Sequence, residues 1–268
     1  MAGADLVPFA GLGPAALILV YAANFLGFLV RGAFGFGSNL PIVVLTTWVL
    51  GPHHAIVLTV LTALAAQVEL LPEGLRGGAD WGLARPLMAA MVAGTAAGTW
   101  VFAALPGAWL TVAMGLLIAT LLGAERLGLA ERLARAAQQP TALARRALGP
   151  ALAALAAAAG TVGGGGGMYL LVAYLRRACR EPARLRATNL VLSALFMASR
   201  VGFAALAGFV TARLLAETLV LLPAVFLGIT AGRRLFRRAS AARFHGALRA
   251  LLAVAAVALL ARGLSALG

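Results

Sequence analysis

Two stretches carry the residues best suited to hold an anion: Gly32-Ala-Phe-Gly-Phe-Gly-Ser-Asn39 and Gly160-Thr-Val-Gly-Gly-Gly-Gly-Gly167. Glycine costs about 1 kcal/mol against Ala in a helix, so no helix should persist through Gly163 to Gly167. The bend leaves N–H groups without helical partners. Successive free N–H groups beside a helix N-terminus form a nest that favours negative charge. Glycine also serves close helix contact, but in small-xxx-small spacing rather than five adjacent positions. Gly35, Gly37, Ser38 and Asn39 in the first stretch are therefore candidate anion-binding residues. So are Gly163, Gly164, Gly165, Gly166 and Gly167 in the second.

Charged and neutral polar residues lie near these stretches. Arg31 adjoins the first, and Arg200 sits inside an apolar run. An Arg at the centre of a membrane helix costs about 2.5–3.5 kcal/mol even on lenient scales, so it needs a partner, a water-filled cavity or a route to the interface. Its planar fork would match a pair of oxygens on a small oxyanion. Asn39, Thr59, Thr62, Thr188, Asn189 and Ser193 could replace part of an anion's hydration shell. Ser and Thr in helices also bond the preceding carbonyls, so Asn39 and Asn189 are the better candidates. Glu69 is the one acid expected near a membrane core, while His53 and His54 are expected in a short solvated loop and His245 beside an Arg-rich one.

The composition decides the solvent. Of 268 residues, 62% are hydrophobic and 11% charged, against about 25% charged in soluble domains. Gly32 to Val68, Pro86 to Ala124 and Ala147 to Leu175 contain no Asp, Glu, Lys or Arg, and each exceeds the ~20 residues that a spanning helix needs. The chain reads as an all-α polytopic membrane protein. Its net charge of +14 falls in short inter-helix clusters with no aromatic-interleaved basic surface, which argues against nucleic acid. Residues 1–30 carry no Lys or Arg, so the first apolar stretch reads as retained rather than as a cleaved signal. A single cysteine, Cys179, excludes a disulfide framework within one chain. No GxxxxGK[ST] motif is present, and no metal or cofactor site is expected.

The elements that must position these residues come in two matching sets. A shift of 128 lays Gly32 onto Gly160, one of 129 lays Thr59 onto Thr188, and one of 134 lays Gly94-x-x-x-Gly98 onto Gly228-x-x-x-Gly232. Three matches in one order predict an internal duplication. Residues 1–123 would form the first repeat, 124–148 an Arg-rich cytoplasmic linker and 149–268 the second repeat. Each repeat holds an interrupted segment (14–50 and 149–175) and three spans, near 55–71, 86–104 and 108–123, then near 187–206, 214–232 and 245–262. Gly94, Gly98, Gly228 and Gly232 are expected simply to let helices approach.

Loop charge predicts orientation. Arg176, Arg177, Arg180, Arg184 and Arg186 follow the second interrupted segment, and Arg233, Arg234, Arg237, Arg238 and Arg243 precede the last span. The matching loops of the first repeat, Gly51 to His54 and Leu105 to Gly107, have no Arg, whereas the linker has Arg126, Arg132, Arg135, Arg145 and Arg146. Arg-rich short loops stay in the cytoplasm, so the repeats are expected to be inverted relative to each other. Residues 149–175 must then cross an even number of times, and 27 residues suit a pair of half-helices turning at the glycines. Inverted repeats with broken helices are a transporter signature, with binding where the breaks meet.

With Gly32-Ala-Phe-Gly-Phe-Gly-Ser-Asn-Leu-Pro41, the second glycine run and the Thr-led spans after each, the chain resembles the TauE/SafE sulfite exporter family over nearly its whole length. Pro41 keeps the proline that usually follows the motif, and Tyr169 replaces it in the second copy. The resemblance implies a non-enzymatic secondary carrier of small sulfur-containing or organic anions such as sulfite, sulfoacetate or sulfonates, in a bacterial cytoplasmic membrane. Its partners would be the anion and the bilayer, with a homo-oligomer left open. The rival readings are an anion channel, which would need a continuous polar pore, and an intramembrane serine protease, which would need a His within reach of Ser38.

Overall fold

The computed structural model describes residues 7–34, 37–128, 132, 142–179, 181–236, 253–254 and 256–266. Among the described residues the regular structure is entirely helical. The first half holds α1 (Pro14–Phe34), α2 (Asn39–Leu50), α3 (Pro52–Arg76), α4 (Trp81–Ala104) and α5 (Gly107–Arg126). The second holds α6 (Ala142–Val162), α7 (Met168–Ala178), α8 (Pro182–Leu206), α9 (Ala212–Phe236) and α10 (Ala256–Ser265). Six of them are long and apolar enough to cross a membrane: α1, α3, α4, α5, α8 and α9. Large apolar side chains such as Ile18, Trp100, Leu219 and Leu227 face outward, a surface suited to lipid rather than water.

Local chemistry sets the helix ends. Gly51 takes φ +76° between α2 and α3, where Pro52 supplies the first helical residue without needing an N–H partner. The Asp80 carboxylate accepts the Leu83 N–H and caps α4. The arginines expected in loops instead lie on helix ends. Arg176 and Arg177 occupy the last turn of α7, Arg233 and Arg234 that of α9, and Arg184 and Arg186 the first turns of α8. Spans are accordingly longer than their apolar cores suggest, because Arg stems extend past the hydrocarbon. Arg135, Arg180, Arg237, Arg238, Arg243 and His245 lie outside the described residues.

The bundle has two distinct ends. At one, Phe9 donates its N–H to Glu217 at the start of α9, Pro52 touches Gly107, and Gly263 of α10 lies against Val112 of α5. This end carries few arginines and both termini of the described chain. At the other, Arg233 pairs with Glu69 and Glu73 of α3, Arg186 with Glu73, and Arg184 with Asp80. Helix α1 therefore starts from the arginine-poor end and α6 from the arginine-rich end.

Helix contacts exchange between the halves. Helix α1 lies along α9 as α6 lies along α4, while α3 meets α8 near the centre. The glycine pairs make these approaches. A Cβ on Gly94 or Gly98 would strike the backbone of Ala154 or Ala158, and one on Gly228 or Gly232 the backbone of Phe25 or Leu29. Phe25 and Ala154, like Leu29 and Ala158, are 129 positions apart, so the same contact is built twice. The close-approach reading of these four glycines holds.

Gly232→Ala should cost about 1–3 kcal/mol, since the methyl meets backbone rather than a movable side chain. Gly202→Ala, whose Cβ meets nothing within 4 Å, should be neutral or slightly stabilising. Thermal unfolding in detergent compares the two.

Candidate functional site

The second glycine run breaks the helix as expected. Residues 163–167 form turns, Gly164 and Gly165 take φ +70° and +107°, and the Gly165 N–H donates to the Gly160 carbonyl at 2.5 Å. That six-to-one bond closes α6 in the manner of a Schellman motif. The N–H groups of Gly164, Gly166 and Gly167 find no backbone acceptor among the described residues. Gly37 takes φ +93° in the first break, and Gly35 lies outside the described residues.

The arms around the breaks are unequal. Helices α1 and α6 have 21 residues each, whereas the returning arms α2 and α7 have 12 and 11. The expectation of paired half-helices thus holds only for the returns, which cover about 18 Å each, near half of a bilayer core. Pro14–Ala33 is itself long enough to cross. The first arm can exceed half depth because its Gly32 presses against the Ile229 backbone and so seats it deep along α9.

The two breaks meet. A Cβ on Gly165 would lie 2.8 Å from Cβ of Asn39, and one on Gly37 would lie 3.1 Å from the Tyr169 hydroxyl on α7. Each break therefore abuts the returning arm of the other half. Asn39 joins them to α8: Arg31 Nη1 donates to Ser38 Oγ (3.4 Å), Ser38 Oγ to Asn39 Oδ1 (2.8 Å), and Asn39 Nδ2 to Met197 Sδ (3.7 Å).

Arg31 and Arg200 are both 3% exposed, so neither reaches the protein surface, and the interfacial alternative fails. Neither has a carboxylate partner among the described residues. Arg200 Nη2 donates to the Thr161 carbonyl at 3.2 Å, just before the second break, and its guanidinium stands over the Phe196 ring at 5.4 Å. Arg200 Nη1 and Arg31 Nε are buried without any protein acceptor. Arg200 lines a small cleft, together with Val57 and Val60 of α3, Thr99 and Phe102 of α4, and Thr161. These residues fall toward the arginine-poor ends of their helices. The cleft thus joins a desolvated cation and the carbonyl end of a broken helix to one face of the bundle.

Other expected residues separate. Thr59 and Thr62 donate to the Ala55 and Leu58 carbonyls of their own helix, and Thr188 accepts the Asp80 N–H. Asn189 is buried with Oδ1 unpartnered, on the same helix as Arg200. Ser38 is engaged by Arg31 and Asn39, while His53 and His54 lie in the first turn of α3, so among the described residues the Ser–His pairing that a protease needs does not form. Among the described residues no group of three or more His, Cys, Asp and Glu side chains could hold a metal.

Three sequence expectations need correction. His54 is not a solvated loop residue: its Nε2 lies 2.5 Å from Glu217 Oε2. His53 Nε2 lies 3.3 Å from the Phe102 carbonyl, and its ring stacks on Phe209. Glu69 is not the deepest acid. It belongs to the Arg233 ion pairs at the arginine-rich end, whereas Glu217 is 0% exposed and also accepts from Arg213 Nε at 3.0 Å. Burial explains His54, because Glu217 needs three donors to remain charged in an apolar bundle, and they come from α3, its own helix and the Phe9 backbone.

A family model described as Sulfite exporter TauE/SafE matches residues 19–259. The chain belongs to the sulfite exporter TauE/SafE family. No curated protein and no solved structure matches it. The TauE/SafE match takes in both breaks, both buried arginines and the cleft, and it makes this chain a multi-pass member of a membrane transporter family rather than an enzyme. Small anions and bilayer lipid are the partners such a family implies.

Stability should separate the two kinds of buried charge. Arg200→Gln removes an uncompensated cation and should leave the unfolding temperature unchanged or raised. Glu217→Gln breaks satisfied pairs and should cost about 3 kcal/mol. Thermal unfolding in detergent reads both.

Proposed function

We propose that the protein is a secondary carrier of small sulfur-containing oxyanions and related organic anions, in the class of sulfite, sulfoacetate and sulfonates, in a bacterial cytoplasmic membrane. The observation that carries this reading is Arg200: a guanidinium buried without a carboxylate, one nitrogen unpaired, in a cleft beside a broken helix. An Arg deep in a membrane bundle is retained when something compensates it, and a cleft-lining Arg without a protein counter-charge is free to take a soluble anion.

Residues 1–123 and 149–268 act as the two repeats, inserted in opposite directions and joined by the 124–148 linker. The shared glycine contacts and the opposite starting ends of α1 and α6 support that arrangement. The arginine-rich end faces the cytoplasm by the positive-inside bias. The anion sits near mid-membrane between Gly35–Asn39 and Gly163–Gly167. Arg31 and Arg200 neutralise it, and Asn39, Asn189 and the free glycine N–H groups supply neutral hydrogen bonds. Rocking of one repeat against the other exposes the site to each side in turn. The cleft at one end and the ion pairs knitting α3, α8 and α9 at the other support a carrier rather than a continuous pore. An electrochemical gradient drives the cycle.

Proteoliposome flux of labelled sulfite, sulfoacetate and taurine, with and without a pH gradient, tests this. Saturable uptake with counterflow of at least one anion is expected, with at least a tenfold loss in an Arg31→Gln, Arg200→Gln double variant. Absence of flux for all three, or wild-type flux in the double variant, would refute the reading.

A further inference from the structure

Gln67 on α3 is 3% exposed, and both its amide nitrogen and its amide oxygen lack a protein partner. Leaving such a group unsatisfied forfeits the hydrogen bonds it makes with water in the unfolded chain, so a buried amide with neither bond is an expensive core residue. A Leu or Met would pack the same space without that cost. The position therefore calls for a reason outside the fold.

Its placement supplies one. Gln67 follows Ile56 by eleven residues and Val60 by seven. At 3.6 residues per turn Gln67 leaves α3 within about 20° of each of them. Ile56 and Val60 line the Arg200 cleft, so Gln67 belongs to the cleft face of α3, two turns deeper. The depth follows from how α3 and α8 run past each other. Gly74 packs on Ala187, Leu190 and Val191, while Val60 shares the cleft with Arg200 and Ala204. Gln67 falls between these contacts, at the level of Met197, the residue that Asn39 reaches from the first break. Counted along the helices, Gln67 is about 22 Å from the start of α3 and Asn39 about 17 Å from the end of α2, so the two lie about one helical turn apart in depth.

We propose that Gln67 is a substrate-contacting, specificity-determining residue at the inner end of the Arg200 cleft. This rests on the carrier reading above. Arg200 supplies charge at the mouth of the path, and Gln67 supplies a neutral donor at the level of the breaks. The anion exchanges water for its N–H groups, and a neutral amide adds no further fixed positive charge that would trap it. The amide oxygen accepts from a hydroxyl of the passenger or from a water travelling with it.

The test uses full-length protein in proteoliposomes and in detergent, with sulfite as the probe. Gln67→Met, close in volume, should raise the KM for sulfite about tenfold and diminish the sulfite-induced rise in unfolding temperature, while the ligand-free unfolding temperature stays level or rises. Gln67→Asn keeps the amide but withdraws it by one methylene, and should fall between wild type and Gln67→Met. Gln67→Glu should lose sulfite binding at neutral pH through like-charge repulsion. A wild-type KM in Gln67→Met and Gln67→Asn, with Arg200→Gln impaired, would overturn the role of Gln67 and spare the carrier. A lowered ligand-free unfolding temperature with an undiminished sulfite response would show a structural amide and overturn it equally. Failure of the wild-type protein to bind or move sulfite would remove both readings.

Discussion

Two guanidinium groups sit inside this bundle with no carboxylate beside them among the described residues, and the rest of the architecture has to make that tolerable. In a membrane interior an uncompensated cation is costly, and backbone that leaves a helix is costly for the same reason: no water is at hand to satisfy it. Here the two problems are set against each other. The carbonyl of Thr161, released where α6 gives way to glycine, accepts from Arg200. The Ser38 hydroxyl at the other break accepts from Arg31. Each contact is incomplete, and the unpaired nitrogens that remain, with the free N–H groups of the glycine run, all favour a negative visitor.

Close helix approach makes the arrangement possible. The broken arms must be pressed against neighbours that shield their backbones, and in lipid this is done by small residues rather than by a hydrophobic drive. Gly94 and Gly98 bring α4 onto α6, and Gly228 and Gly232 bring α9 onto α1, so each long arm is clamped by a helix of the other half. The ends are held differently. Arg233 binds Glu69 and Glu73 at one, and Glu217 gathers His54, Arg213 and the Phe9 N–H at the other, so α3 and α9 run parallel and are pinned twice. A carrier cycle must loosen such pins in turn while the central contacts persist.

Much of this was legible in the residues because backbone cost is local. Five consecutive glycines cannot continue a helix in any context, and positive φ at Gly164 and Gly165 is what such a run is for. The glycine pairs four apart read correctly as contact positions, and the count of arginines per loop divided the bundle's ends. Other features depend on partners remote in sequence. Glu217 gives no signal of its own in the sequence, because its partner His54 lies 163 positions away. Gln67 carries no local signal at all, since an amide in an apolar helix becomes notable only when tertiary structure denies it a partner. Helix α6 starts at Ala142, ahead of the 149 expected, because its Arg-bearing end extends the helix beyond its apolar core.

The central claim is that the unpaired guanidinium nitrogen of Arg200 and the glycine break beside it form an anion site. Selenite, a heavier oxyanion of the same shape as sulfite, can be located by anomalous scattering in crystals of the protein grown with it. The account places a selenium peak inside the bundle, within hydrogen-bond reach of Arg200 Nη1 on the side of residues 163–167. Peaks found only on the arginine clusters at the ends of α7 and α9, with the interior empty, would contradict it.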